Sequence, residues 1–312
     1  MNIQQFKYIL AVVDLRNFEA AADKCFVSQS TLSTMIARFE DEIGIKIFNR
    51  KSKPVSVTRE GAIIVERLRT INNDIGLLGA LVKELKGELM GELKIGVIPT
   101  IAPYLLPLFL HKFATKFPYV NLIVDELQTD EIVAAIKNRS LDIGLLALPI
   151  KDKDLNEKEL FVEPFLIYDC REKSTEGPIS IKNLDYSKLW LLKQGHCLQT
   201  QVHQICEQSS RQVDEDSNLE FRSGSLDGLI RFTKASNGLT ILPQIATLDF
   251  TEHDQGKLVH FDTPVPSRSV GIITHKYFVK KTLLNKLQLM IQDIMKEVIS
   301  EIPENKIIHP LE

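Results

Sequence analysis

The chain is 312 residues long, 44% apolar, with a formal net charge of −3, which is too much chain for one small domain and an ordinary composition for a soluble protein with a sizeable core. No segment approaches the roughly 20 apolar residues of a membrane span, and the start, Met1-Asn2-Ile3-Gln4-Gln5, lacks the basic-then-apolar pattern of a secretory signal, so the expected location is the cytoplasm, with no membrane partner. Four cysteines, Cys25, Cys170, Cys197 and Cys206, then sit in a reducing compartment. There a permanent disulfide framework is not expected, their spacing fits no zinc site, and no metal or other cofactor is implied.

Charge is unevenly spread. Residues 1–90 carry 13 basic and 11 acidic side chains, so the front of the chain is the better candidate for an anionic partner. Within it Lys46, Arg50, Lys51, Lys53 and Arg59 follow one another with no acid between, which suits phosphate contacts if a fold presents them together.

Taken in chain order, Ile3 to Asp14 and Phe18 to Cys25 read as two short helices, the second built on Ala20, Ala21 and Ala22, small enough for close helix contact. Ser28 is a good cap for a third helix, in which Leu32, Met35, Ile36 and Phe39 recur at helical spacing while Gln29, Ser30, Ser33, Thr34 and Arg38 face outward. Short helices around a tight turn, the later one polar at its exposed start, are what a helix-turn-helix needs to enter a major groove. Ile45 to Phe48 and Pro54 to Thr58 are expected to form a two-stranded wing with Arg50-Lys51-Ser52-Lys53 at its tip.

The run from Phe18 to Arg50, with Val27-Ser28-Gln29, the polar-faced helix, Gly44 and Ile47-Phe48-Asn49-Arg50, resembles the winged helix of LysR-type transcriptional regulators. The resemblance implies that Gln29, Ser30, Ser33 and Thr34 approach bases in double-stranded promoter DNA, with Arg38, Arg50 and Lys53 on phosphates.

From Thr58 to about Glu88, Ile64, Leu68, Ile71, Ile75, Leu78, Val82 and Leu85 repeat with steps of four and three, a heptad seam. Such a stripe is expected to pack on a second copy, giving a dimer with two DNA-reading heads at a fixed separation; packing on the chain's own second domain is the alternative. Beyond Gly87 and Gly91, strands and helices alternate: Leu93 to Ile98, Tyr104 to Phe117, Val120 to Glu126, Glu131 to Asn138 and Leu141 to Leu148. This is a parallel α/β pattern. It recurs around Leu189 to Leu192, Phe221, Leu226 to Ala235 and Leu239 to Leu242, before a last strand at Val270 to Thr274 and a long helix. The expected fold is α/β: a winged helix-turn-helix (1–58), a linker dimerisation helix (59–90) and, as the family resemblance implies, a two-lobed regulatory domain like periplasmic binding proteins of type 2 (91–305).

Two stretches, Ile98-Pro-Thr100-Ile-Ala-Pro-Tyr104-Leu-Leu-Pro107 and Gly195-His196-Cys197-Leu198 with Cys206 nine residues after Cys197, look like the peroxide-sensing branch of that family. Independently of the resemblance, nine residues of helix rise about 13–14 Å and end half a turn out of phase, while a disulfide needs Cα atoms within about 7 Å. If Cys197 to Ser209 is helical when reduced, the bond cannot close until the segment unwinds, and oxidation is then coupled to refolding.

The resemblance implies that Cys197 is the peroxidatic and Cys206 the resolving cysteine, and that Thr100, Thr129, His196 and Arg268 line a hydrogen peroxide pocket in which a lowered thiol pKa would speed the attack. For three of these a plainer role is open: Thr129 as a helix cap, His196 as a loop histidine, Arg268 as the partner of an acid. Cys25 and Cys170 read as structural. The resemblance further implies pairing of dimers into a homotetramer, RNA polymerase as a partner, and a thiol reductant such as glutaredoxin or thioredoxin. Two other readings remain: a regulator of the same architecture whose cleft binds a small metabolite, and an enzyme of the thiol peroxidase kind, in which the DNA-reading head would lack a purpose.

Overall fold

The computed structural model describes residues 1–172, 177–184, 188–193, 195, 197–207, 221–299 and 304–310. Short-range signals define the head. Asn2 and Gln5 form a capping box at the start of α1 (Ile3–Leu15), which ends where Arg16 turns left-handed. The Asn17 side chain caps α2 (Phe18–Lys24) by accepting from the Glu19 and Ala20 amides. Ser28 accepts from the Thr31 amide at the start of α3 (Gln29–Ile43), and Gly44, at φ 71°, ends it. Leu32, Ile36 and Phe39 of α3 meet Ile9 and Val12 of α1 in one apolar cluster.

The wing is held from beneath. Glu40, 1% exposed, accepts from the amides of Ile47 (2.8 Å) and Phe48 (3.2 Å). This leads the chain into β1 (Phe48–Asn49), which pairs antiparallel with β2 (Ser56–Val57). Thr58 then caps α4 (Arg59–Leu85), whose first turns bury Val65 and Leu68 in the head's core. Further along, the heptad stripe is bare: Leu78 is 64% exposed and Leu85 78%, with Ile71, Ile75 and Val82 also exposed. No helix among the described residues is long and apolar enough to cross a membrane.

The chain divides into two compact units, Met1–Lys86 with Asn138–Ser140, and the remainder. In the second unit β3 (Gly91–Val97), α5 (Ala102–Lys116), β4 (Val120–Glu126), α6 (Thr129–Lys137) and β5 (Ile143–Leu148) follow the expected alternation, and β3 runs parallel to both β4 and β5. Then comes β6 (Leu155–Asp169), a long strand. The second lobe adds β7 (Leu191–Leu192), α7 (Cys197–Glu207), β8 (Arg222–Ser223), α8 (Leu226–Ala235), β9 (Leu239–Pro243), the one-turn α9 (Glu252–Gln255) and β10 (Leu258–His260). β11 (Val265–His275), α10 (Lys281–Val298) and β12 (Asn305–Ile307) complete the described chain.

The sheet order is β10-β6-β11-β5-β3-β4, with β9 beside β6 and β12 beside β11. β11 is antiparallel to β5 and β6, and β9 and β10 are antiparallel to β6. The α/β fold class therefore stands, but the purely parallel reading is corrected to a mixed sheet. The cause is β6, which runs antiparallel to β11, β9 and β10. Its first part pairs with β11 under one apolar core, and its last part, Phe165 to Asp169, pairs with β9 under another. One strand thus crosses from lobe to lobe, and the two apolar clusters lie on either side of the crossing.

Close packing in the first lobe sets where α6 begins. A Cβ on Gly144 would lie 2.5 Å from Ile132 Cγ2 and 2.7 Å from Ile273 Cγ1, and one on Gly96 3.1 Å from Ile132 Cγ1. Gly144→Ala should therefore displace α6 and lower the stability of the full chain by about 1–3 kcal/mol, read from its urea midpoint at unchanged slope.

Candidate functional site

The regulatory unit places Cys197 at the start of a helix. Gly195 adopts φ 103°, a region L side chains rarely enter, and two residues later α7 opens with Cys197. Cys197 belongs to the apolar core of the first lobe, while Leu198, Val202 and Ile205 of the same helix belong to that of the second. Cys197 is buried at 7% exposure, Cys206 is half-buried against the second core, and both are free thiols. Helix α7 realises the expected helical state over Cys197–Glu207; Ser209 lies outside the described residues. Nine residues of α-helix separate the two thiols by about 13–14 Å along the axis and half a turn around it.

Three other elements bring polar groups to Cys197. The Thr129 hydroxyl, on the first residue of α6, favours the ionised form of the thiol. The carboxylate of Glu131 takes up the Gln128 amide at 2.8 Å. Arg268 of β11 is fully buried and its charge acts on Cys197. It donates from Nη1 to Thr100 Oγ1 (3.1 Å) and from Nη2 to the Thr100 carbonyl (3.2 Å). Cys197, Thr129, Arg268 and Thr100 are thus brought together. His196 lies outside the described residues.

Arg268 also has the acidic partner that was its plainer reading. Its Nε donates to Glu163 Oε1 at 2.8 Å, both side chains being fully buried. Glu163 sits opposite Arg268 in the β6–β11 register, and its other oxygen accepts from the Ile245 amide at 2.8 Å. Sequence reasoning missed Glu163. Its signal was an acid inside the apolar run Phe161-Val-Glu-Pro-Phe-Leu-Ile-Tyr168, because a buried carboxylate demands a cation and hydrogen bonds.

The expected lowering of the thiol pKa is corrected. Burial pushes the Cys197 thiol up from its ordinary range, and the Arg268 charge, the Thr129 hydroxyl and the Leu198 and Cys197 amides pull against it without prevailing. This conformation holds a protonated thiol beside groups that favour its thiolate.

On the head, Gln29, Ser30, Thr34, Arg38, Arg50 and Lys53 are exposed and Ser33 half-exposed. Ser30 Oγ lies 3.0 Å from Ser28 Oγ at the cap. Arg50 is more constrained than a free phosphate ligand: it donates to Ser33 Oγ at 2.8 Å, reaches Glu40 Oε2 at 3.5 Å and lies over the Phe18 ring. It ties the wing to α3. The remaining cysteines are quiet in this arrangement: Cys25 caps the end of α2, and Cys170 is buried just past β6 beside Tyr168. Among the described residues no three His, Cys, Asp or Glu side chains gather as for a metal.

Residues 3–62 match the bacterial regulatory helix-turn-helix domain of the lysR family, and residues 86–290 match the LysR substrate binding domain. The chain belongs to the LysR family of bacterial regulators. It is a DNA-binding transcriptional regulator, and the family is not one of enzymes. Among its relatives, the DNA-binding transcriptional dual regulator OxyR of Escherichia coli is 33% identical over 275 residues, 88% of this chain and 89% of that one. The regulator EstR of Acinetobacter baylyi is 30% identical over 95% of this chain and 97% of its own. A structure of full-length OxyR from Pseudomonas aeruginosa, a cysteine-to-aspartate variant, superposes with a TM-score of 0.72 at 30% identity, covering 94% of this chain and 98% of that one.

In this LysR-family chain the Glu163–Arg268 pair is the site's electrostatic anchor. Glu163→Gln should cost about 3–5 kcal/mol of stability, because it leaves a buried cation unmatched, measured by urea unfolding. The same change strengthens the field of Arg268 at Cys197, so the thiol should titrate lower, read from the pH dependence of its alkylation. An unchanged titration would show that Arg268 is not felt at the sulfur.

Proposed function

We propose that this LysR-family regulator senses hydrogen peroxide through Cys197 and Cys206. The observation that carries the reading is the placement of the Cys197 thiol against Thr129 and Arg268 at the start of a helix that carries a second thiol nine residues on. Likeness to proteins named for OxyR supports it.

The chemistry is a two-electron oxidation. The Cys197 thiolate attacks one peroxide oxygen, the O–O bond breaks, and the departing hydroxide takes up a proton to leave as water, giving a sulfenic acid. The Cys206 thiol attacks that sulfur, the S–S bond forms and the second oxygen leaves as water. Two thiols thus supply two electrons, and a thiol reductant such as glutaredoxin or thioredoxin returns them. Arg268 stabilises the thiolate and the departing oxygen, with Thr100, Thr129 and His196 as peroxide ligands. Because burial raises the Cys197 pKa, the thiolate is the minor form near neutrality, and sulfenic acid formation should accelerate about tenfold per pH unit below that pKa.

The exposed stripe of α4 pairs two copies, and pairs of dimers build a tetramer that presents heads to successive promoter half-sites and to RNA polymerase. On each head Gln29, Ser30, Ser33 and Thr34 read bases, with Arg38, Arg50 and Lys53 at phosphates. Leu78→Asp should dissociate the dimer in sedimentation; an unchanged assembly would mean that α4 is not its main interface. Since Arg50 also ties the wing to α3, Arg50→Ala should weaken binding to all DNA and flatten its salt dependence, while Gln29→Ala should weaken the specific operator alone.

The deciding experiment is operator footprinting with and without a stoichiometric dose of peroxide, on the parent protein and two variants. Peroxide should change the parent's footprint. Cys197→Ser should abolish the change, and Cys206→Ser should trap a sulfenic acid at Cys197 that a dimedone-type probe labels. A footprint indifferent to peroxide in the parent would replace this reading by a regulator that answers to a small metabolite between its lobes.

A further inference from the structure

The segment that follows α10 contacts both β11 and α7, and no function described above uses these contacts. β12 runs parallel to β11 in the register Val265↔Asn305, Pro266↔Lys306 and Ser267↔Ile307. The next residue, Ile308, is 2% exposed and lies in the same apolar cluster as Leu198, Val202 and Ile205 of α7. Its amide donates to the Ser267 carbonyl at 2.8 Å, one residue before Arg268. Its carbonyl accepts from Gln201 Nε2, also at 2.8 Å. Ile308 therefore joins the strand that carries Arg268 to the middle of α7.

Gln201 is the informative partner. It stands one helical turn after Cys197, on the same face, and is fully buried. Burying an amide is costly unless both its ends are paired. Here the Ile308 carbonyl takes the amide's N–H, while Gln201 Oε1 is buried with no hydrogen-bond partner among the described residues. Gln201 is thus held in the core through one hydrogen bond, to the Ile308 carbonyl.

We infer that residues 305–308 act as a strap that holds α7 in its helical, reduced form and is let go when α7 unwinds. The inference rests on the peroxide reading only for its trigger. Closing the Cys197–Cys206 bond requires unwinding between those residues, and Gln201 lies between them, so it cannot then keep its bond to Ile308. Linkage makes the effect mutual: a strap that favours the helix slows disulfide closure, and closure expels the strap.

The test begins with reduced protein and no oxidant. In the full chain, Gln201→Met keeps the length and apolar bulk of the side chain and removes the donor. It should speed amide exchange in both 304–310 and 197–207 on the order of fivefold, the worth of one buried hydrogen bond. A chain stopped after Glu304 should loosen 197–207 at least as much. If that chain fails to fold, Gln201→Met decides alone. Exchange in 197–207 unchanged in Gln201→Met overturns the strap, whatever peroxide does.

The second arm adds peroxide. The parent should expose 304–310 to a protease as the Cys197–Cys206 bond forms, and Gln201→Met should form that bond several-fold faster. A bond that forms while 304–310 stays protected also overturns the strap. The reduced-state changes without any Cys197–Cys206 bond would leave the strap standing and remove the peroxide reading.

Discussion

Two fully buried charges, Arg268 and Glu163, face each other where β6 passes from one lobe to the other, and the regulatory unit is arranged around keeping them satisfied. Glu163 accepts from Arg268 and from the Ile245 amide, and Arg268 donates to both oxygens of Thr100. Ion pairs of this kind contribute little net stability, since desolvation consumes most of the attraction, but losing one partner is severe. Their value here is geometric: a guanidinium held rigidly from two sides sits at a fixed place beside the Cys197 thiol. The same junction brings together the loop before α5, the start of α6, β11 and the start of α7.

Helix geometry supplies the second constraint. A thiol packed into one lobe's core and another half a turn away on the face of the other lobe's helix cannot meet while α7 stands. The reduced state is therefore protected twice, by distance and by the burial that keeps Cys197 protonated. Oxidation at such a site exchanges helix and packing for one covalent bond. Ile308, far along the chain, is hydrogen-bonded to both Ser267 and Gln201.

Local features were legible in the sequence and long-range ones were not. Ser28, Gly44 and the spacing of Leu32, Ile36 and Phe39 gave the recognition helix its ends and its buried face, because capping and periodicity are properties of neighbouring residues. The helical state posed as a condition for the segment after Cys197 is met by α7. The extent of β6 escaped because Asn156 to Glu159 are exposed and polar while Leu166 to Asp169 are all buried, so no alternation marks it, and Pro164 reads as a break. Glu163 escaped with it. Thr129, Arg268 and Thr100 could be named by likeness, but their effect on Cys197 could not be signed, since burial of the thiol depends on elements far apart in the chain. The tie between Gln201 and Ile308 spans 107 residues.

Closing the Cys197–Cys206 bond and keeping α7 are mutually exclusive. Peptide mapping and amide exchange on one peroxide-treated sample test it most directly, with the linked peptide and the protection of residues 197–207 read from the same molecules. Protection of this segment should fall in proportion to the linked fraction. A fully linked sample in which 197–207 remains as protected as in the reduced protein would contradict it.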